Sequence, residues 1–453
     1  MLTITNPATG AVIAELETDT PASIAARVVR ARAAQPAWAA MPVGERVAAL
    51  RRFRDRLQAD VEPLARLLSE EVGKPISQAR SEIANTQRLE FFLEHAAAVL
   101  ADENVFADAG GSERIGWEPL GVVANVSAWN YPYFVAANVV PPALLAGNAV
   151  LYKPSEFASR TGLAMTERLH AAGVPADVIQ PVIGAGEVGA ALVAADIDAV
   201  YFTGSYPTGV RIAQATAPRL LRVQLELGGK DPIYVCDDAP VAETAAAVAD
   251  GTFYNTGQSC CAVERVYVHR AIAAPFIDAF AATVRGFVVG DPLDERTYIG
   301  PLARRAQLAV LAAQVADARS KGATVLTGGG RLEGAGNYFA PTVLTNVDHS
   351  MAVMRDESFG PVIGIQVVGD DAEAAALMRD TEYGLTAGIY TPDRARAERL
   401  LAGMPTGTVY WNCCDRVTPR LPWSGRHHSG IGLTLSTHGI RAFAQPKAWH
   451  LRG

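Results

Sequence analysis

The chain has 453 residues, with 40 Lys+Arg against 47 Asp+Glu and a formal charge of −7; an acidic chain without a basic block lacks the clustered cations that nucleic-acid phosphates require. Hydrophobic residues make up 49% and charged residues 19%, a balance that excludes a disordered chain and points to large cores and buried subunit surface. At roughly 150 residues per domain, two or three domains are expected.

The first residues, MLTITNPATGAVIAELETDT, carry neither a basic stretch nor an apolar core, so no signal peptide is expected and the cytoplasm is the expected compartment. Helical periodicity runs from Thr20 to Asp102, where Thr20 and Pro21 supply an N-cap and a first-turn proline. The arginines of the tract RVAALRRFRDRLQADVEPLARLL are expected on a solvated helix face. The uncharged run from Pro119 to Tyr152 is long enough to span a bilayer, but Pro132, Pro141, Pro142 and Asn148 interrupt it. It predicts buried loop, helix and strand, and no membrane contact.

From Gly121 onward, short β-rich runs alternate with helical stretches. GVVANVS, NAVLYKP, DVIQPVI, DAVYFTG and LRVQLEL form one series; DPIYVCD, RVYVH, ATVLTG, VIGIQVV, LTAGIYT and GTVYWN form a second. Such alternation predicts βαβ units, hence an α/β fold with a doubly wound parallel sheet and a second α/β domain joined near Gly228-Gly229.

Two strand-to-helix junctions could take a dinucleotide. Gly184 to Gly189 fits G-x-G-x-x-G, with Asp196 or Asp198 the nearest acidic group for a ribose; the alternative is a tight turn. One strand later, Phe202-Thr203-Gly204-Ser205 through Gly209 offers a hydroxyl and free helix N–H groups to a pyrophosphate. The residues alone do not rank the two loops.

Five cysteines, at 236, 260, 261, 413 and 414, suit neither a disulfide framework nor a C-x-x-C metal site, and no metal is expected. Cys260 lies in a small polar turn, YNTGQSCCA, where backbone N–H groups can stabilise a thiolate. Adjacent side chains diverge, so one of Cys260 and Cys261 faces a given pocket, and the sequence does not say which. Glu226 ends an apolar strand before Gly228-Gly229-Lys230, where partial burial would raise its pKa toward that of a general base; an ion pair with Lys230 is the equal alternative. Asn130, in AWNYP at a strand's carboxyl end, could donate to an oxyanion or hold its own turn.

Taken together, the chain resembles the aldehyde dehydrogenase superfamily from Asn6-Pro7-Ala8-Thr9-Gly10 to near residue 450. The motifs stand in the family's order: Trp129-Asn130-Tyr131-Pro132, PALLAGN, Lys153-Pro154-Ser155-Glu156, Phe202-Thr203-Gly204-Ser205, Glu226-Leu227-Gly228-Gly229-Lys230, Gly257-Gln258-Ser259-Cys260, GDPLDERTYIGPL and Glu357-Ser358-Phe359-Gly360-Pro361. The resemblance implies NAD(P)-dependent oxidation of an aldehyde through a thioester on Cys260, with Glu226 as general base and Asn130 as oxyanion donor. It also implies cofactor contacts from Trp129, Lys153, Ser155, Glu156, Gly204, Ser205, Gly209, Glu357 and Phe359, which makes the Gly184 motif a decoy. Glu156 would favour the free ribose of NAD, while Ser155 and Lys153 leave NADP possible.

By the same resemblance, the substrate passage is lined by Tyr131, Phe134, Asn138, Ser259, Cys261 and Trp423, with Tyr133, Trp411 and Asn412 also expected there. The late family segment departs from its usual form in Pro422 to Gly430, where His427 stands at a lysine position. Arg416 or Arg420 could bind a substrate carboxylate; the alternative is a loop arginine facing solvent or a partner. The implied organisation is a cofactor domain of 1–100 and 120–228, a catalytic domain of 229–428, and a bridging element of 101–119 and 429–453 through which the chain forms a homodimer or homotetramer. A CoA-acylating enzyme and a non-catalytic protein of the same fold are the competing readings; Glu226 argues against the first and the complete set of Cys260, Glu226 and Asn130 against the second.

Overall fold

The computed structural model describes residues 1–452, and both strand series form largely parallel sheets in it. In the first sheet the strands lie in the order Arg222–Glu226, Ala199–Thr203, Val122–Val126, Ala149–Lys153 and Ile179–Pro181, all parallel. The short strand Gly430–Ile431 adds antiparallel beyond Glu226. The three central runs are mostly apolar on both faces because both faces are covered. Val123 and Val150 point into the core that also holds Leu144 and Met165, whereas Ala124 and Leu151 meet Ile24 and Val28 of the helix Pro21–Ala40.

The chain lays down 122–126 first, moves outward to 179–181, then returns to the opposite side for 199–203 and 222–226. Strand order therefore reverses between 122–126 and 199–203. In open α/β sheets, the carboxyl ends of such a pair frame a crevice.

The second sheet runs 324–327, 342–345, 362–368, 265–269, 232–235, 386–390 and 408–411, parallel except for the first pair. Thr342–Thr345 is a strand that the sequence pattern did not reveal. The helical tract begins with a reciprocal capping box between Thr20 and Ser23, as its sequence predicts. Its arginines are at least partly exposed with one exception. Arg46 is buried, and donates to the carbonyls of Leu145 at 3.0 Å and Ala39 at 2.9 Å, so it caps the carboxyl ends of two helices instead of lying on a solvated face.

A third, three-stranded antiparallel sheet joins Glu103–Asp108, Gly111–Pro119 and Ala444–Arg452. It leaves Val105, Phe106 and Leu451 exposed. Only 444–452 of the expected C-terminal bridging segment enters this sheet. Residues before it join the first unit, since Gly430–Ile431 pairs with Leu225–Glu226 and Ile440 and Phe443 are buried in the core beside Leu144. No helix among the described residues is long and apolar enough to cross a membrane.

Candidate active site

Cys260 follows a turn held in an unusual conformation. After the helix Val241–Phe253, Asn255, Thr256 and Gly257 adopt φ of 53°, 60° and 69° in succession. Left-handed φ is costly for a β-branched residue, and it persists only where neighbours over-determine it. Here they do: the Asn255 N–H donates to the Gln78 side chain at 2.8 Å, and Thr256 Oγ1 both accepts from the Gly300 N–H at 3.0 Å and donates to its carbonyl. The Gln258 side chain accepts from the Ala303 N–H at 3.0 Å. The turn is thus bolted to two other segments, and it presents Cys260 to a cavity of about 1500 Å³.

The two adjacent thiols differ. Cys261 is buried and donates its S–H to Asp415 at 2.9 Å, with Ser259 Oγ 3.5 Å away. Its thiol is pushed well above the usual range by the neighbouring Cys260 thiol, by burial and by Asp415. Cys260, partly exposed and committed to no such partner, is the freer of the two.

Asn130 lies on the far side of the same turn. Its amide donates to the Gln258 carbonyl at 3.1 Å, and its own carbonyl accepts from Asn255 Nδ2 at 3.0 Å. One amide N–H is thus spent on orienting the group, which leaves the second for a ligand. The helix that follows, Pro132–Ala137, is anchored by Glu82, which accepts from the N–H groups of Tyr133 and Phe134 at 2.9 and 3.2 Å. Glu82 pairs with Lys74, both fully buried, and the Lys74 ammonium sits 3.6 Å from the Tyr131 ring centroid. No sequence signal singled out that pair.

Glu226 closes the site from the first sheet. Oε1 accepts from Gln224 at 2.9 Å and Oε2 has no partner, although the residue is buried. Burial holds its carboxyl well above the ordinary glutamate range, against a weaker opposing effect from Gln224. The alternative ion pair is not made: Lys230 donates to Glu264 at 2.6 Å and to Ser358 at 3.1 Å. Glu264 also accepts from the N–H groups of Ser358 and Phe359. That places Glu357 against Gly228 and Gly229, where it accepts from the Gly229 N–H at 3.0 Å and is raised to about 8 by burial and by Glu264. A Cβ on Gly228 would lie 2.4 Å from the Glu357 carboxylate, so any larger residue there would displace that carboxylate.

Strand order now ranks the two glycine loops. Gly204-Ser205 ends the strand beside the reversal and Asn130 follows the other strand of that pair, whereas the Gly184 motif follows the outermost strand. Both loops nonetheless reach the cleft, since Gly186 and Gly189 line it along with Gly204 and Ser205. Gly209 does not line it. A Cβ there would meet Leu227 Cδ2 at 2.7 Å, so this glycine lets the helix Tyr206–Thr216 approach the sheet. Lys153 and Ser155 are buried at the cleft wall, and Glu156 accepts from Ser155 at 3.3 Å. Trp129 and Phe359 meet edge to face at 5.5 Å. A crevice at the strand reversal, a helix N-terminus, buried Lys153 and half-buried Glu357 facing it fit a dinucleotide.

Tyr131, Phe134, Asn138, Ser259, Cys261 and Trp423 all line the opposite end of the cavity. Tyr133 is instead a core residue, and Trp411 is turned outward to donate to the Thr391 carbonyl at 2.9 Å. Asn412 likewise binds Thr391 and is absent from the lining. Asp415, half-buried and with its carboxyl pushed up by desolvation, is a lining carboxylate that no sequence pattern singled out.

Known proteins share the family and the fold. The model of the aldehyde dehydrogenase family matches residues 1–449. A betaine aldehyde dehydrogenase of Brucella anthropi is 38% identical over 449 residues, covering 97% of this chain and 92% of that protein. Among solved structures, an Escherichia coli NADP-dependent enzyme superposes with a TM-score of 0.96 at 31% identity, covering 100% of this chain and 95% of the other. PnpE in complex with nicotinamide adenine dinucleotide does so at 0.96 and 32%, covering 99% and 93%.

Proposed function

Because the chain belongs to the aldehyde dehydrogenase family, and so oxidises an aldehyde to its acid with NAD(P), we propose that Cys260 is its nucleophile, Asn130 its oxyanion donor and Glu226 its general base. The observation that carries the assignment is the convergence of these three side chains, from different segments, on one cavity. Cys260 Sγ attacks the aldehyde carbon, and the oxygen that gains charge is met by the free N–H of the Asn130 amide and by the Cys260 backbone N–H. Each such donor is worth about 3 kcal/mol to the transition state. Trp129, Glu357 and Phe359 would hold a nicotinamide beside the Cys260 adduct, where its chemistry would be to accept the hydride. Glu226 then takes a proton from water, whose oxygen attacks the thioester carbon and expels Cys260 Sγ. A buried carboxylate with one oxygen free suits this water better than it suits CoA, a nucleophile that needs no such base.

Trp129, Lys153, Ser155, Glu156, Gly204, Ser205, Glu357 and Phe359 are proposed to hold the cofactor, with Glu156 favouring NAD. Gly209 would act behind them, by letting its helix approach. The three-stranded sheet, with two unpaired edges and exposed Val105, Phe106 and Leu451, supports assembly of a homodimer or homotetramer through it. The proposed units are 1–100 with 120–228, to which 429–443 packs, then 229–428, and a bridge of 101–119 with 444–452. A cytoplasmic enzyme is the matching location. Cys260→Ser should lower aldehyde-dependent NADH formation by about 10³-fold or more while cofactor binding persists; turnover within tenfold of the unaltered enzyme would refute the assignment.

A further inference from the structure

Arg88 closes the short 3-10 turn Asn85–Arg88 and lines the substrate end of the cavity that holds Cys260. Its guanidinium lies over the Phe134 ring, 3.9 Å from the centroid, and Nη1 reaches only the Val417 carbonyl at 3.4 Å. Nε and Nη2 are shielded from solvent and have no partner. The nearby acids are already engaged. Glu82 is paired with Lys74, Asp415 accepts from Cys261, and Asp250 accepts from the Tyr298 hydroxyl at 2.5 Å.

A cation whose donor groups are shut off from water without a counter-charge is costly unless a ligand supplies one. Burial accordingly lowers the Arg88 guanidinium to about 9. The two orphaned groups are informative in their positions: Nε–H and Nη2–H point in parallel from one edge of the guanidinium, the pair that two carboxylate oxygens satisfy together. Arg416 and Arg420, on the segment to which Arg88 is tethered, line the same end and are exposed. They add positive potential at the entrance.

We propose that Arg88 binds a carboxylate at the far end of the substrate, so that the enzyme's preferred aldehydes are semialdehydes. The proposal rests on the reading of Cys260 as nucleophile, because that fixes which end of the cavity takes the aldehyde carbon. It sets this chain apart from what its relatives' name suggests: betaine aldehyde bears a permanent cation, which an unpaired guanidinium repels.

The test compares kcat/KM, at saturating NAD, for three aldehydes of equal chain length ending in a carboxylate, a methyl group and a trimethylammonium group. The carboxylate is expected to lead by at least about tenfold, the effect of one charge-assisted hydrogen bond. Arg88→Met should collapse that lead mainly through KM, and Arg88→Lys should restore part of it. Equal values for the carboxylate and methyl substrates, preference for the ammonium, or equal losses on both substrates in Arg88→Met would overturn the proposal while leaving the Cys260 assignment intact; silence on all three aldehydes would instead count against that assignment. Should Arg88→Met not fold, inhibition of methyl-aldehyde turnover by a dicarboxylate serves. Competitive inhibition is expected, and its absence overturns the proposal.

Discussion

Replacing Glu226 by glutamine separates the two halves of the reaction and tests the electrostatics of the site at once. Glutamine keeps the volume and can still accept from Gln224 at the position of Oε1, but it cannot take a proton from water. Loss of a general base costs about 10² to 10⁴ in rate. Because the base acts after hydride transfer, the first turnover should survive: a rapid-mixing experiment should show a burst of NADH near one equivalent per active site, then a steady rate slower by that factor. Stability moves the other way. The Glu226 carboxyl is raised from its ordinary 4.5 by burial, so above that pH the folded chain retains a proton that the unfolded chain releases. Stability of the unaltered protein must therefore fall as pH rises toward the folded value. Glutamine has no proton to lose, so the melting temperature of Glu226→Gln relative to the unaltered protein should rise as pH climbs above the ordinary 4.5. Each tenfold difference in proton affinity between the folded and unfolded chain is worth about 1.4 kcal/mol of that gain. A steady rate within threefold of normal, or a melting difference that stays flat above pH 4.5, would refute the reasoning.

Asn130→Ala should lower kcat by about 10² to 10³, the value of one oxyanion donor, at a stability cost near 1 kcal/mol. The cost is small because the Gln258 carbonyl it abandons still accepts from Asn255 at 3.0 Å; paired kinetics and thermal melts check both halves. Lys74→Met strands the fully buried Glu82, which should cost about 3 to 5 kcal/mol. A denaturant titration should show the loss, and the double variant Lys74→Met with Glu82→Gln should recover part of it.

The strands were legible because both faces of each parallel sheet are largely buried, which leaves runs such as Val122–Val126 and Val362–Val368 apolar but for Asn125 and Gln366. The first helix was legible from its cap. Thr342–Thr345 escaped because four residues carry little periodicity, and Arg46 because a helix-face rule cannot see the helix ends it caps. For the site, residue identity was readable at Cys260, Glu226 and Asn130, but their environment was not. Whether Glu226 pairs with Lys230 depends on Glu264, which approaches from another strand end. Ranking the glycine loops needed the order of strands in space. Gly209 drew attention for its spacing, yet its role is set by Leu227. Arg88 gave no signal at all, since a missing partner is a property of the assembled cavity.

Ser429 joins segments far apart in the chain. Its hydroxyl donates to the Gly228 carbonyl at 2.7 Å and accepts from the Gly384 N–H at 3.0 Å, while its carbonyl accepts from Leu227. Next to it, Thr386 donates twice to Asp231. The Ser429 bonds tie the strand end at Glu226 to the segment leading into Thr386–Tyr390, while Thr386 and Asp231 hold neighbouring strands of the second sheet, and each bond is worth about 1 kcal/mol net. Swinging the two sheets apart like a jaw would break the tie between Ser429 and Gly384. Yielding of a single side chain such as Glu357 would open the cleft and leave that frame standing.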